Sequence, residues 1–271
     1  MVVSLSRKEV SDLSSRCREL VAIAHEAGEL ALGLRRDLKR SSIQAKGPQD
    51  FVSDADLATE RFIRNRIAEV FPEEAVLGEE GGATGDGVGL WIIDPIDGTT
   101  NYLHGLEDWA VSIAFADQKG LACGAIVAPA LGISVWAERG VGAYCNEGSL
   151  AVSGCGEAAH ALLLLGRSER AGRKSYLRGV ERTLELGMEY RRVGSAAVSL
   201  LQVCMARAEG YIEAHLNPWD VAAGLLVARE AGAIVHAPNF AELVAQGGPV
   251  CVAAPGVCPE VERVFDVMIS G

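Results

Sequence analysis

The chain has 271 residues, of which 49% are hydrophobic and 23% charged, with a formal net charge of −11. This is enough apolar material for a sizeable core in one large domain or two closely packed ones. The acidic balance argues against general nucleic-acid binding, which needs a basic face. No apolar run reaches the length of a membrane span, and the first ten residues lack the apolar stretch of a signal peptide. Seven cysteines, an odd number with no Cys-x-x-Cys spacing, read as core thiols in a reducing compartment. A cytoplasmic protein with no membrane or nucleic-acid partner is expected.

Leu13, Cys17, Leu20, Ala24, Ala27, Ala31, Leu34 and Leu38 recur at spacings of three and four, which predicts a long amphipathic helix. Phe51-Val52 reads as a short extended piece after the Gly47-Pro48 turn. Ser53, Asp54 and Asp56 are helix-start residues, and capping accounts for Asp54. Leu57, Ile63, Ile67 and Val70 then give a helix face that Pro72 terminates. Val76-Leu77 predicts a brief strand. Gly78-Glu79-Glu80-Gly81-Gly82 reads by composition as an acidic surface loop, and residues 81–89 as a mobile, Gly-rich segment flanking the site. Residues 90–93 predict a buried strand that stops at Pro95, which has no N–H for a ladder. Residues 110–116, 121–127, 133–138 and 142–145 read as successive strands, with a hairpin turn at 117–120. Composition shifts to Gly, Ser and Ala around 147–159, which suggests a boundary between residues 1–147 and 148–271. The second half alternates a strand at 161–165, a helix at 174–186, a strand at 190–193, and a helix from Gly194-Ser195-Ala196 to Met205. A strand at 211–215 carrying Glu213 follows, then a helix opening at Asn217-Pro218-Trp219-Asp220 and ending at Gly232. Strands at 233–236 and 249–253 and a helix to about Met268 complete it.

The chemistry concentrates in Asp94-Pro95-Ile96-Asp97-Gly98-Thr99-Thr100-Asn101. A tight turn brings Asp94 and Asp97 to one point, and the small residues after them offer N–H groups and hydroxyls suited to phosphate. Carboxylates repel phosphate unless a hard divalent cation lies between them. An Asp-Gly turn would explain Asp97-Gly98 alone, but not Asp94. This segment resembles the central signature of the inositol monophosphatase family of Mg²⁺-dependent, lithium-sensitive phosphatases. Trp219-Asp220-Val221-Ala222-Ala223-Gly224 resembles that family's second signature, although a helix start would by itself account for Asp220.

The resemblance implies an α/β fold, the αβαβα five-layer sandwich of the inositol monophosphatase and fructose-1,6-bisphosphatase type. It usually implies a homodimer. Residues 1–147 would form an α+β half with the metal and phosphate site. Residues 148–271 would form an α/β half with Asp220 and the contacts to the substrate alcohol. By the same resemblance, Glu79, Asp94, the carbonyl of Ile96, Asp97 and Asp220 hold two or three Mg²⁺. Glu79 and Thr99 orient and deprotonate the attacking water, with Asp56 behind Thr99. Gly98 and Thr99 hold phosphate, with Asp97 and Asp220 beside it. Gly194, Ser195 and Ala196 flank the alcohol, an ordinary helix start being an equal reading of that turn. Glu213 accepts a substrate hydroxyl. Lys46 and Asp50 match the family pattern more loosely. Glu107 and Asp108 depart from it, and either favour a cationic substrate or, as charge runs usually do, face solvent. The implied activity is hydrolysis of a small-molecule phosphate monoester, foremost inositol 1-phosphate. Histidinol phosphate, fructose 1-phosphate, fructose 1,6-bisphosphate and 3′-phosphoadenosine nucleotides are alternatives, as is a non-catalytic phosphatase-like regulator.

Overall fold

The computed structural model describes residues 13–36, 43–47, 50–146 and 148–270. The side chains of Lys46 and Asp50, and all of Leu38, lie outside the described residues. The first layer is a pair of packed helices, α1 (Ser15–Arg36) and α2 (Asp54–Val70), with an antiparallel hairpin of β1 (Ile43–Gly47) and β2 (Asp50–Ser53) between them in sequence. The expected stripe on α1 is the buried one, with Cys17, Leu20, Ala24, Ala27 and Ala31 facing inward. Small residues there let the helix lie close to the sheet beneath: a Cβ at Gly28 would stand 3.0 Å from Val127.

The second layer is an eight-stranded sheet of β3 (Ala75–Gly78), β4 (Gly82–Thr84), β5 (Leu90–Asp97), β6 (Ala110–Asp117), β7 (Gly120–Ala128), β8 (Ile133–Glu138), β9 (Gly142–Cys145) and β10 (Gly148–Ser149). Its spatial order is β10-β9-β8-β7-β6-β5-β3-β4. Only the β3–β5 pair is parallel. The strands read as continuous apolar runs because both faces are covered. Trp91, Ile93, Val111, Ile113, Phe115 and Val127 pack toward α1 and α2, while Ile92, Ala110, Ala114, Ala116 and Ile126 pack the other way. A short helix, α3 (Thr99–His104), follows β5.

Beyond it lie α4 (Arg173–Glu185), α5 (Ala196–Cys204), α6 (Pro218–Glu230), α7 (Phe240–Gln246) and α8 (Cys258–Ile269), with a second sheet. That sheet consists of β11 (Leu162–Leu165), β12 (Glu189–Arg191), β13 (Gly210–Leu216), β14 (Ile234–His236) and β15 (Gly248–Ala253), in the order β12-β11-β13-β15-β14. Helices α5 and α6 fill the space between the sheets, and α4 and α8 cover the far face. The layers therefore run α, β, α, β, α, as expected. Helix α6 has no polar face because sheet or helix surrounds it; Val221, Ala222, Ala223, Leu225, Leu226 and Val227 are all buried. Gly124 lets it approach β7, since a Cβ there would sit 3.0 Å from the Ala223 Cα.

Three local expectations are corrected. Strand β5 does not stop at Pro95 but continues to Asp97. Its partners shift from Ser112 opposite Asp94 to Ala110 opposite Asp97, so Pro95 lies in a bulge where no ladder N–H is required. Residues 81–89 are not wholly loop, because Gly82–Thr84 form β4, which pairs with β3, and Arg64 donates to the Gly82 carbonyl at 2.6 Å and to Thr84 Oγ1 at 2.8 Å. Helix α7 was not expected at all, although its start carries a capping box. Glu242 N donates to Asn239 Oδ1 at 3.1 Å, and Asn239 N donates back to Glu242 Oε2 at 3.3 Å. None of the seven cysteines forms a disulfide, and no helix among the described residues is long and apolar enough to cross a membrane.

Candidate active site

The bulge that carries β5 past Pro95 also aims its carboxylates. Asp94 is buried, and its Oδ1 accepts from Ile96 N at 3.0 Å, which closes the turn. Asp97 ends the strand. Gly98 follows at φ +91°, and a Cβ there would stand 3.0 Å from both the Asp108 carbonyl and Ser195 Cβ, so the position requires glycine twice over. Asp220 comes from far along the chain, in the first turn of α6. One carboxylate oxygen each from Asp94, Asp97 and Asp220 lie within 4.8 Å of one another.

Each of the three is already tied to backbone. Asp97 Oδ2 accepts from Ser195 Oγ and from Ala197 N, the latter at 2.7 Å, and so caps α5. Asp220 Oδ2 accepts from Asn217 N at 2.7 Å. The helix-start role of Asp220 is therefore real, and it stands beside its place in the cluster. Burial pushes the Asp97 carboxyl up to about 6 against the pull of its hydrogen bonds. Burial, and then the charges of Glu79, Asp97 and Asp220, hold Asp94 well above the ordinary carboxylate range. Asp220 is raised in the same way by burial, Asp97 and Glu79.

Asp56 lies behind this cluster, buried at the start of α2. Its Oδ2 accepts from Ser53 N at 2.9 Å, completing a capping box with Ser53 at the N-cap. The capping role expected for Asp54 thus belongs to Ser53 and Asp56. Asp56 Oδ1 is 3.3 Å from Thr99 Oγ1, whose other acceptor is the Ile96 carbonyl at 3.1 Å. Burial raises Asp56, opposed by these same hydrogen bonds.

Glu79 follows β3, with its N–H on the Ile93 carbonyl at 3.3 Å. Its loop is fixed by Glu60, a buried residue that sequence reasoning missed. Glu60 accepts from Glu80 N at 2.8 Å, Gly81 N at 2.7 Å and Arg64 Nε at 2.7 Å. The available signal was the Glu60–Arg64 pair at i, i+4 on a helix face otherwise turned inward. Glu60→Ala strands two N–H groups and takes the carboxylate from the Arg64 charge, which keeps only Gly82 and Thr84. We expect it to cost about 3 kcal/mol and to raise the Mg²⁺ concentration needed for half-maximal activity, read by thermal unfolding and a Mg²⁺ titration. An unchanged Mg²⁺ requirement would show that the loop holds Glu79 without Glu60.

These side chains open on a cavity of about 460 Å³ between the two sheets. Glu79, Asp97, Gly98, Thr99 and Asp220 line it. Gly194, Ser195, Ala196, Tyr211 and Glu213 line it too, with Arg167, Glu169 and Arg192 also on the wall. Asp94, Ile96 and Asp56 lie off the wall, buried beneath it. Tyr211 donates to Glu213 Oε2 at 2.7 Å, and burial pushes the Glu213 carboxyl up to about 7 despite that bond and the nearby Arg192. Asn101, to which the sequence assigned no task, donates to the Asp108 carbonyl at 2.7 Å and the Val193 carbonyl at 3.0 Å, joining the Gly194 turn to α3. Gly194 itself sits at φ +86°. Glu107 is exposed, and neither it nor Asp108 lines the cavity.

Asp94 and Asp220, each raised by burial and by the carboxylates around it, call for a cation, and a donor set of oxygens alone suits a hard one. The comparisons agree. The model of the inositol monophosphatase family matches residues 12–264. A Nus factor SuhB of Xylella fastidiosa is 36% identical over 218 residues, covering 80% of this chain and 79% of that one. An inositol-1-monophosphatase of Rhizobium meliloti is 37% identical over 200 residues, 72% of this chain and 75% of its own length. The crystal structure of the extragenic suppressor protein SuhB from Bartonella henselae superposes with a TM-score of 0.85 at 30% identity, over 95% of this chain and all of that one. The fold and the site are those of a metal-dependent phosphoric monoester hydrolase. The chain belongs to the inositol monophosphatase family.

Proposed function

We propose that this protein hydrolyses the phosphate monoester of a small sugar alcohol, with inositol 1-phosphate as its preferred substrate and Mg²⁺ as its cofactor. The observation that carries this reading is one cavity lined both by Asp97 and Asp220 of the carboxylate cluster and by Glu213. Glu79, Asp94, the Ile96 carbonyl, Asp97 and Asp220 would hold two or three ions. Bound there, Mg²⁺ supplies positive charge against the phosphoryl oxygens and lowers the pKa of water. Glu79 and Thr99 orient the attacking water and take its proton. Thr99 can do this because its hydroxyl already faces Asp56, a buried carboxylate that holds a proton more readily than a surface aspartate. The N–H groups of Gly98 and Thr99 receive phosphate oxygens as charge spreads over them. The Gly194-Ser195-Ala196 turn borders the leaving alcohol, and Glu213 accepts one of its hydroxyls.

Phosphate release should be measured over inositol 1-phosphate, fructose 1,6-bisphosphate, histidinol phosphate, a 3′-phosphoadenosine nucleotide and an aryl phosphate, with Mg²⁺ and with EDTA. Inositol 1-phosphate should give the highest kcat/KM. Turnover of none of them would favour the regulator suggested by the SuhB-named relatives. Arg167 and Arg192 on the wall favour a second reading, in which a bisphosphate places its other phosphate there. Fructose 1,6-bisphosphate outrunning inositol 1-phosphate would select it. Glu213→Gln should lower kcat/KM for inositol 1-phosphate roughly tenfold, the worth of one hydrogen bond to a charged group, and spare the aryl phosphate. Equal losses on both would remove Glu213 from the alcohol site.

A further inference from the structure

A second group of ligating side chains lies away from the phosphatase cavity, at the edge of the second sheet. Cys258 and Glu262 are one turn apart near the start of α8, so they share a face of that helix. His236 ends the edge strand β14, opposite Cys251 of β15. Because α8 packs against this sheet, the three side chains meet. Cys258 Sγ is 3.5 Å from Glu262 Oε1, and His236 Nε2 is 2.8 Å from the same oxygen. One ligand atom from each lies within 4.8 Å of the other two.

The ordinary reading is an ion pair with a thiol beside it. The geometry at His236 departs from that reading. Its Nε2 is sealed from water, yet the short approach to Glu262 is out of line for a hydrogen bond, and the nitrogen has no other partner. A buried nitrogen, a buried thiol and a carboxylate oxygen converging in this way make a borderline-soft donor set, unlike the all-oxygen set at Asp94, Asp97 and Asp220. A four-coordinate Zn²⁺, with Zn–N and Zn–O near 2.0 Å and Zn–S near 2.3 Å, spaces its ligands by about 3.3–3.6 Å. The Cys258–Glu262 separation falls in that range and the His236–Glu262 separation is shorter, so small rotamer changes would close the site. The Glu262 side chain is half-exposed, which gives a cation a route from solvent.

We propose that His236, Cys258 and Glu262 form a Zn²⁺ site that ties the edge strand β14 to α8. On binding, the Cys258 S–H bond is lost, its proton passes to solvent, and the thiolate electron pair forms the Zn–S bond. None of the three residues lines the phosphatase cavity, so the site acts on the fold and leaves Mg²⁺-dependent hydrolysis unchanged.

The test is Zn²⁺ binding to the full chain held in excess Mg²⁺, by equilibrium dialysis with metal analysis, together with Co²⁺ absorption and melting temperature. The parent should retain one more equivalent of Zn²⁺ than Cys258→Ser and should melt higher when Zn²⁺ is added. It should also show a thiolate-to-Co²⁺ charge-transfer band. Cys155→Ser, which removes the only cysteine that is not buried, should keep all three signals. His236→Gln and Glu262→Gln alter half-exposed side chains, and each should weaken Zn²⁺ by more than the roughly tenfold that losing an outer-shell partner costs. They decide the matter if Cys258→Ser does not fold. Equal Zn²⁺ retention by the parent and these variants, or a Co²⁺ band that disappears with Cys155→Ser instead, would overturn the site.

Discussion

Asp220→Asn will lose catalysis and keep its fold. Asparagine has nearly the same shape and can still accept from Asn217 N, the 2.7 Å bond that closes the first turn of α6. The helix therefore keeps its local geometry and gives up only the charge–dipole term, no more than about 1 kcal/mol. The catalytic loss is larger. Asp220 shares its cluster with Asp94 and Asp97, and a cation there would lose one of its charged ligands beside the leaving oxygen. We expect kcat to fall by roughly a hundredfold or more. In metal-free buffer the melting temperature should hold or rise, since the charges that push Asp94 upward include Asp220 itself. Melting and turnover on one preparation separate the two tasks of this residue. Early melting with parental turnover in the folded fraction would leave Asp220 as a helix-start residue only.

That double duty explains why the site was only partly legible in the chain. Asp94, Asp97, Gly98 and Thr99 are consecutive or nearly so, and their chemistry reads directly, because one bulge and one turn are enough to bring them together. Asp220 was legible by resemblance and ambiguous by physics, because the same carboxylate accepts from the helix start and belongs to the cluster. Asp56 was ambiguous in the same way, with Ser53 on one oxygen and Thr99 on the other. Glu60 and Asn101 were not legible. Their partners lie at Gly81 and Val193, and nothing in a linear pattern says that a helix carboxylate will receive the N–H groups of a distant loop. Arg167 and Arg192 were missed for a similar reason, because their place on the cavity wall follows only from the parallel pairing of β11 and β12. The five layers came from resemblance. The strands could be read as doubly buried, but which helices cover which face is set by tertiary packing.

Removing Mg²⁺ will abolish phosphate release, and it will leave a chain that loses stability as pH rises. Without a cation the clustered carboxylates have folded-state pKa values above their unfolded ones: about 6 for Asp97, about 7 for Glu213, and well above the ordinary range for Asp94 and Asp220. Between the unfolded and folded values the native state binds more protons than the unfolded chain. The slope of unfolding free energy with pH is then negative. Full stability holds below the ordinary carboxylate pKa of about 4. It falls as pH rises through the values of Asp97 and Glu213, to about pH 7, and Asp94 and Asp220 extend the decline upward. The total should be on the order of a few kcal/mol. A bound cation offsets the repulsion and favours the charged forms, so saturating Mg²⁺ should flatten the decline and restore turnover together. Thermal unfolding from about pH 4.5 to pH 7.5, in EDTA and in Mg²⁺, measures both curves. A melting temperature in EDTA that stays level or climbs across this interval would show that the folded chain does not hold these carboxylates against their charge, and would leave the cluster without a reason to bind metal.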